Sequence, residues 1–131
     1  MKLSIIIPIY NEYKTIALLL DKVLSVALPG GLAREIIVIN DGSFDQTDII
    51  LNSYAKRQEI KILKQAHQGK TTALALGIAK ASGDIILIQD ADLEYDPIQY
   101  PALLNPILTG EADVVYGSRF LGEIKDMHWI N

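Results

Sequence analysis

Short apolar runs rich in isoleucine, valine and leucine alternate along this chain with segments of helical periodicity. The runs occupy residues 3–9, 35–40, 60–63, 84–89 and 113–116. The helical segments occupy residues 15–28, 47–57 and 71–81, and a fourth segment, interrupted by prolines, follows residue 97. Strands that alternate with helices form a parallel sheet covered on both faces. The pattern therefore predicts an α/β protein with three α/β/α layers, a mostly parallel sheet and a Rossmann-like arrangement.

Length and composition narrow the class of protein further. The 131 residues suffice for one domain with a real core, and we expect residues 1–131 to form that single domain. A formal net charge of −4 argues against a general nucleic-acid binder. The chain contains no cysteine, which excludes disulfides, zinc–thiolate sites and a thiol nucleophile and is compatible with a reducing cytoplasm. No apolar run approaches the ~20 residues that span a bilayer.

Polar side chains follow each predicted strand. They fall in residues 10–12, 40–43, 65–70, 90–96 and 117–119. The carboxyl ends of parallel strands meet at one edge of a sheet, and ligands of such folds bind beyond that edge. We therefore expect these five segments to surround a single site.

The sharpest of these segments is Asp90-Ala91-Asp92, directly after the fourth apolar run. Carboxylates at i and i+2 project to the same side of an extended backbone, and each raises the pKa of the other. Oxygen ligands of this kind suit Mg²⁺ or Mn²⁺, whose remaining ligands are commonly phosphates. The sequence therefore predicts a metal–diphosphate site, with Glu94 as a further metal ligand. The alternative is a turn in which aspartate is simply favoured, and that is how we interpret Asp96, as a helix cap.

The ends of the first two strands carry candidate nucleotide contacts. Asp41 could accept a hydrogen bond from a base or a ribose, whereas Ser43 and Asp45 suit helix capping. Tyr10 could stack on a base and Glu12 could bind a ribose hydroxyl. Without any ligand, the Asp41 segment is explained by a turn with a helix cap. The segment with Tyr10 and Glu12 is explained by a surface loop.

Basic residues near the predicted edge have two interpretations each. Gly69-Lys70-Thr71 resembles the end of a phosphate-binding loop, but Lys64 stands where that motif requires glycine, so we reject it. Lys70 could still meet an anionic ligand at a helix N-terminus, or be solvated. Arg119 could bridge phosphate oxygens, or pair with a nearby acid. His67 is expected at the surface rather than in catalysis.

Taken in order, the motifs resemble the family 2 inverting glycosyltransferases with the GT-A fold. The likeness is greatest to polyprenyl-phosphate sugar transferases such as dolichyl-phosphate mannose synthase. The segments that carry it are residues 5–12, 38–47, 68–70, 90–97 and 114–120. Asn40 departs from the aspartate that many members have there. Because members of the family continue well beyond this length, the resemblance implies the N-terminal, donor-binding part, ending before the acceptor and membrane-facing region.

The resemblance also implies roles for individual residues. The substrate-binding residues would be Pro8, Tyr10, Glu12, Asp41, Lys70, Asp90 and Ala91. The metal ligands would be Asp90, Asp92 and Glu94, holding Mg²⁺ or Mn²⁺, and the catalytic residues would be Asp92 and Arg119. Arg119 would lie near the acceptor phosphate or the donor diphosphate.

The implied reaction moves a sugar from a UDP- or GDP-linked donor to an acceptor, expected to be a polyprenyl phosphate, with inversion. No carboxylate is left over as a general base, which favours an acceptor that is already anionic. The full-length protein would act at the cytoplasmic face of a membrane, without nucleic acid. Two alternatives stay open: a non-catalytic module that binds nucleotide sugars, and a transferase whose acceptor is a saccharide.

Overall fold

The computed structural model describes residues 1–92, residues 96–111 and the backbone of residues 129–130. The strands are β1 (Lys2–Ile9), β2 (Ala33–Asp41), β3 (Ile60–Gln65), β4 (Ile85–Ile88) and β5 (Trp129–Ile130). The helices are α1 (Ile16–Ser25), α2 (Thr47–Asn52), α3 (Lys70–Lys80) and α4 (Tyr100–Leu108). Two short 3-10 turns, Pro29–Gly31 and Pro97–Gln99, precede β2 and α4. The strand predicted at residues 113–116 lies outside the described residues.

The strands form one sheet in the order β3-β2-β1-β4-β5, and every neighbouring pair is parallel. The chain builds outward from β1 through β2 to β3 and then returns to the other side of β1 with β4. The strand order therefore reverses between β1 and β4, which is where ligands bind in open parallel sheets. The predicted α/β class is confirmed.

One face of the sheet packs against α1, α2 and α4. Along β1, alternate residues point to this face, beginning at Leu3 and ending at Ile9. They meet Ile16 and Leu20 of α1 and Leu104 of α4 in one buried cluster. This cluster is the larger part of the apolar core.

Among the described helices, α3 is the one that packs against the other face. Ile6, Ile37 and Ile39 point to this face and meet Ala73 of the helix. Gly77 allows the helix to lie close, because a Cβ atom there would stand 2.6 Å from side-chain atoms of both Ile6 and Ile39. The helices thus cover both faces, as the alternating pattern predicts.

Two helices end earlier than the periodicity predicts. Helix α1 ends at Ser25, not near residue 28, because Val26 is extended and the Arg34 guanidinium donates hydrogen bonds to the carbonyls of Val23 and Val26. Helix α2 ends at Asn52, not near residue 57, and the following residues form turns. None of the described helices has the length and hydrophobicity of a membrane span.

A buried carboxylate, Glu35, lies at the amino edge of the sheet. It accepts hydrogen bonds from the Ser4 hydroxyl at 2.8 Å, the Ser82 N–H at 3.0 Å and the Ser82 hydroxyl at 2.7 Å, and Lys61 Nζ lies 3.1 Å away. Burial opposes ionisation of Glu35, but these hydrogen bonds outweigh it and lower its pKa to about 2. This cluster joins β1, β2, β3 and the turn before β4 at the edge opposite the carboxyl ends.

Candidate functional site

A cavity of about 450 Å³ opens at the carboxyl edge of the sheet, where the strand order reverses. Its walls come from the ends of β1, β2 and β4 and from the start of α3. The lining residues are Pro8, Ile9, Tyr10, Glu12, Asp41, His67, Gly69, Lys70, Ala73, Asp90, Ala91 and Asp92. The predicted substrate-binding residues and Asp92 therefore lie around one cleft, and whether they bind a ligand stays a prediction. Glu94 and Arg119, predicted as a metal ligand and a catalytic residue, lie outside the described residues.

The segment that carries Asp90 and Asp92 is fixed from two sides. The Thr15 hydroxyl, just before α1, donates a 2.9 Å hydrogen bond to the carbonyl of Ala91. The side-chain amide of Gln89 donates a 3.0 Å hydrogen bond to the carbonyl of Asp90. The backbone between the two carboxylates is thus held before any ligand arrives.

Lys70, the first residue of α3, forms an ion pair with Asp90 across the cavity. Lys70 Nζ lies 2.5 Å from Asp90 Oδ1. The Lys70 side chain is 58% exposed and that of Asp90 20% exposed, so the pair lies at the cavity surface. Lys70 therefore lines the cavity and pairs with an acid, and its contact with an anionic ligand stays a prediction.

Asp41 organises the wall formed by the loop between β3 and α3. Its buried carboxylate accepts hydrogen bonds from Gln65 Nε2 at 2.8 Å, the Gln68 N–H at 2.8 Å and the Gly69 N–H at 3.0 Å, and His67 Nδ1 lies 3.0 Å from Oδ2. Burial opposes ionisation, but these hydrogen bonds outweigh it and hold the pKa of Asp41 below its usual value. Asp41 therefore both lines the cavity and holds the loop that carries Lys70.

The turn after β2 comes very close to the same loop. Gly42 has φ of +75°, and a Cβ atom there would stand 2.6 Å from the backbone nitrogen of His67. Glycine is therefore required at this position both for its conformation and for the close approach.

Three aromatic rings lie together beside Asp41, and two of them, Tyr10 and His67, line the cavity. The Tyr10 and His67 rings stack with centroids 4.1 Å apart, and Phe44 meets Tyr10 edge-on at 6.0 Å. The His67 side chain is 57% exposed, as expected of a surface residue, and its ring also lines the cavity. No motif marked His67, because its role depends on a loop whose path is set by contacts with Asp41 and Gly42.

The loops after β1 and β2 are tied together by hydrogen bonds. The Asn11 N–H donates to the Ser43 hydroxyl at 2.9 Å, and the Glu12 N–H donates to the Thr47 hydroxyl at 3.1 Å. Ser43 was expected to cap α2, but its hydroxyl is used between the loops. Asp45 lies one residue before the N-cap Gln46, and its carboxylate accepts the N–H of Thr47, the first residue of α2, at 2.8 Å.

A cation fits the donors of this cavity. Asp90 and Asp92 offer hard oxygen ligands, and a positive charge already lies at Asp90 in the form of the Lys70 ammonium. Among residues 1–92 and 96–111, no three histidine, cysteine or carboxylate side chains converge as a complete metal site. A cation held here would therefore need further ligands, of which phosphate oxygens are the usual kind.

The sequence model of the family described as "Glycosyl transferase family 2" matches residues 4–131. A dolichol-phosphate mannosyltransferase of Pyrococcus furiosus is 34% identical over 130 residues, which is 98% of this chain and 36% of that protein. An undecaprenyl-phosphate 4-deoxy-4-formamido-L-arabinose transferase of Photorhabdus laumondii is 36% identical over 107 residues, 79% of this chain and 33% of that protein. The chain thus spans about a third of the length of these relatives.

Solved structures show the same fold. Glucosyl-3-phosphoglycerate synthase of Mycobacterium tuberculosis, in complex with Mn²⁺, UDP and phosphoglyceric acid, superimposes with a TM-score of 0.69 at 30% identity over 90% of this chain and 44% of that one. Residues 1–349 of TarS from S. aureus, in complex with UDP, give a TM-score of 0.73 at 25% identity over 97% of this chain and 39% of that one. These neighbours have the GT-A fold that the sequence predicts. The chain therefore belongs to glycosyl transferase family 2.

Proposed function

We propose that this chain is the donor-binding part of a transferase that moves a sugar from a nucleoside-diphosphate sugar to a polyprenyl phosphate. The observation that carries the proposal is the single cavity at the β1/β4 switch point, which brings Tyr10, Asp41, Lys70 and the Asp90–Asp92 segment together. Support for the donor comes from neighbours whose structures contain UDP. Support for the acceptor comes from relatives named for dolichol phosphate and undecaprenyl phosphate.

Two parts of the cavity wall suit two parts of the proposed donor, one the base and the other the phosphates. Tyr10 offers a ring face to a base, and Asp41, which lines the same cavity, is proposed to lie beside that base. Glu12 lines the same cavity from the loop after β1 and would accept from a ribose hydroxyl. With the base at Tyr10, the diphosphate would extend toward Asp90, Asp92 and Lys70.

At the phosphate end, Asp90 and Asp92 would hold a divalent cation, with Glu94 proposed as an additional ligand. Such a cation neutralises charge on a departing nucleoside diphosphate. Lys70 adds a positive charge on the side of α3, and Arg119 is proposed to bind either the same diphosphate or the acceptor phosphate. The sequence resemblance makes Asp92 and Arg119 the proposed catalytic residues.

A phosphate acceptor would not require a general base from the protein. A phosphate oxygen is anionic at neutral pH, so it attacks the anomeric carbon without a general base. Attack from the face opposite the leaving group inverts that carbon, whose transition state has oxocarbenium character. A lipid acceptor implies that the full-length protein acts at a membrane surface, and we propose its cytoplasmic face.

Nucleotide titration tests the donor site. UDP and GDP are each titrated by calorimetry into the protein with and without Mn²⁺, and we expect one of them to bind more tightly with the ion. The Asp92→Asn variant should lose this dependence on Mn²⁺. Asp84→Asn makes the same change of charge at the opposite edge of the sheet, where Asp84 accepts the Lys2 N–H, and should bind as the wild type does.

Transfer is then measured in the full-length protein with a polyprenyl phosphate and with a free saccharide as alternative acceptors. Product on the lipid phosphate supports the proposal, and product on the saccharide assigns the other acceptor class. Nucleotide binding without any transfer would show that the domain is a binding module. Binding that is unaffected by both Mn²⁺ and Asp92→Asn would contradict the proposed metal site.

A further inference from the structure

We propose that Lys70 makes the cavity selective for a divalent cation that arrives with a diphosphate, and weakens its binding of the free cation. The inference rests on the proposed function, because it concerns the same donor site. It assigns to Lys70 a second task besides contact with phosphate, namely to occupy Asp90 until the donor is present.

Lys70 occupies the position at Asp90 that a cation would take. Lys70 Nζ lies 2.5 Å from Asp90 Oδ1, so the ammonium stands where a cation bound to Asp90 would compete with it. The Lys70 side chain is 58% exposed, which leaves its long chain able to turn toward another partner in the cavity. The Gln89 amide holds the backbone of Asp90, so a change of partner requires only side-chain rotation, and the long lysine side chain has the greater reach.

The positive charge of Lys70 acts differently on a free cation and on a cation that arrives with a diphosphate. With Lys70 at Asp90, the negative charge of Asp90 is already compensated, and a free divalent cation also meets the repulsion of the ammonium. A diphosphate carries charges that attract Lys70, and it approaches the N-terminus of the eleven-residue helix α3, which favours anions. Movement of Lys70 toward the diphosphate restores the full charge of Asp90 for the cation.

The two ligands are therefore coupled through one side chain. Nucleotide raises the affinity for the cation, and by linkage the cation raises the affinity for nucleotide by the same factor. Ion pairs at exposed positions are weak. We therefore expect Lys70 to contribute a factor of about three to ten to the gain in cation affinity that nucleotide causes.

The test compares Mn²⁺ binding to the wild type, Lys70→Met and Lys70→Arg, followed by electron paramagnetic resonance of the free ion. Lys70→Met removes the charge, and we expect it to bind Mn²⁺ alone about threefold to tenfold more tightly than the wild type does. Lys70→Arg keeps the charge and should bind Mn²⁺ alone as weakly as the wild type. The double variant Lys70→Met with Asp92→Asn should lose the gain, which assigns the bound ion to this cavity.

The same titrations in saturating UDP or GDP complete the test. Nucleotide should strengthen Mn²⁺ binding by a larger factor in the wild type than in Lys70→Met. If the wild type binds Mn²⁺ and nucleotide together but Lys70→Met gains no affinity for Mn²⁺ alone, the inference is wrong and the proposed function stands. If the wild type binds neither nucleotide in the presence of Mn²⁺, the proposed function fails and the inference fails with it. Thermal unfolding of each variant establishes that it is folded.

Discussion

The Tyr100 hydroxyl donates a 2.6 Å hydrogen bond to the side-chain oxygen of Gln89 in the interior of the protein. Gln89 in turn donates from its amide nitrogen to the carbonyl of Asp90. Tyr100 and Gln89 are only 2% and 1% exposed, so neither can touch a ligand in the cavity. A buried chain of two hydrogen bonds therefore connects the start of α4 to the backbone that carries the proposed metal ligands.

Tyr100→Phe should lower the stability of the fold and weaken nucleotide binding in the presence of Mn²⁺. Loss of the hydroxyl leaves the Gln89 oxygen buried without this donor, which costs about 1–2 kcal/mol in the free energy of unfolding. The Gln89 amide is then less firmly oriented toward Asp90, so we expect nucleotide affinity to fall several-fold. Chemical denaturation and calorimetry measure the two effects.

Tyr54→Phe is the matched control for this change. The Tyr54 hydroxyl donates to Asp21 at 2.7 Å and lies 3.2 Å from the carbonyl of Ala17, so it joins α1 to the turns after α2. Its loss should leave nucleotide affinity unchanged. Equal nucleotide affinities of Tyr100→Phe and the wild type would show that the buried chain stabilises the fold without positioning Asp90.

Asp41→Asn should loosen the loop that carries His67 and Lys70. An amide keeps only one acceptor oxygen, so its N–H groups meet at least one of the three donors, which are the Gln68 and Gly69 N–H groups and the Gln65 side chain. Donors then face donors in a buried position, which costs about 1–3 kcal/mol in stability. We expect hydrogen exchange of the Gln68 and Gly69 amides to accelerate in the variant, together with a loss of nucleotide affinity. Unchanged exchange at these two amides would contradict the role of Asp41 in holding the loop.

Gly42→Ala tests whether the close approach to His67 matters beyond backbone conformation. Gly31→Ala is the control, because Gly31 has a similar φ of +67° but open space around its Cβ position. The control should cost about 1–2 kcal/mol for the left-handed conformation alone. In Gly42→Ala the new methyl group meets the His67 backbone, which should add about 1–3 kcal/mol. Denaturant midpoints of the two variants measure the difference, and equal midpoints would show that the loop yields easily.

The layout of the fold and of the cavity could be predicted from the sequence because both follow from local patterns. The unbroken apolar character of β1 and β2 indicates strands buried on both faces, which only a parallel sheet covered by helices provides. Once the sheet is parallel, the polar ends of its strands must meet at one edge. The positions of Tyr10, Asp41 and Asp90 in one cavity follow from that alone.

The partners within the cavity could not be predicted in the same way. Lys70 and Asp90 are separated by twenty residues, and their contact depends on how closely α3 lies on the sheet, which Gly77 sets through its contact with Ile6 and Ile39. Helix ends were also set by distant residues, as Arg34 shows for α1. Patterns within one segment contain no information on such contacts between segments.

The low pKa of Glu35 leads us to expect that the protein loses stability in acid. This loss originates at the edge of the sheet opposite the cavity. Its pKa is about 2 in the folded protein, against 4.5 for an ordinary glutamate. Between these two pH values the unfolded chain binds a proton at this position and the folded chain does not, so stability falls as the pH falls from about 4.5 toward 2. Above that window the ionised carboxylate contributes on the order of 1–3 kcal/mol, discounted for the partly exposed lysines around it.

Glu35→Gln should therefore lower stability at pH 7 and flatten its dependence on pH below about 4.5. The neutral amide binds no proton, so the variant loses up to about one proton from the uptake that accompanies acid unfolding. Glu59→Gln, at an exposed position, makes the same chemical change and should keep the wild-type slope. Urea denaturation at about pH 2.5 to about pH 7, in small steps, measures both effects. A Glu35→Gln variant with the wild-type slope would show that other carboxylates cause the acid sensitivity.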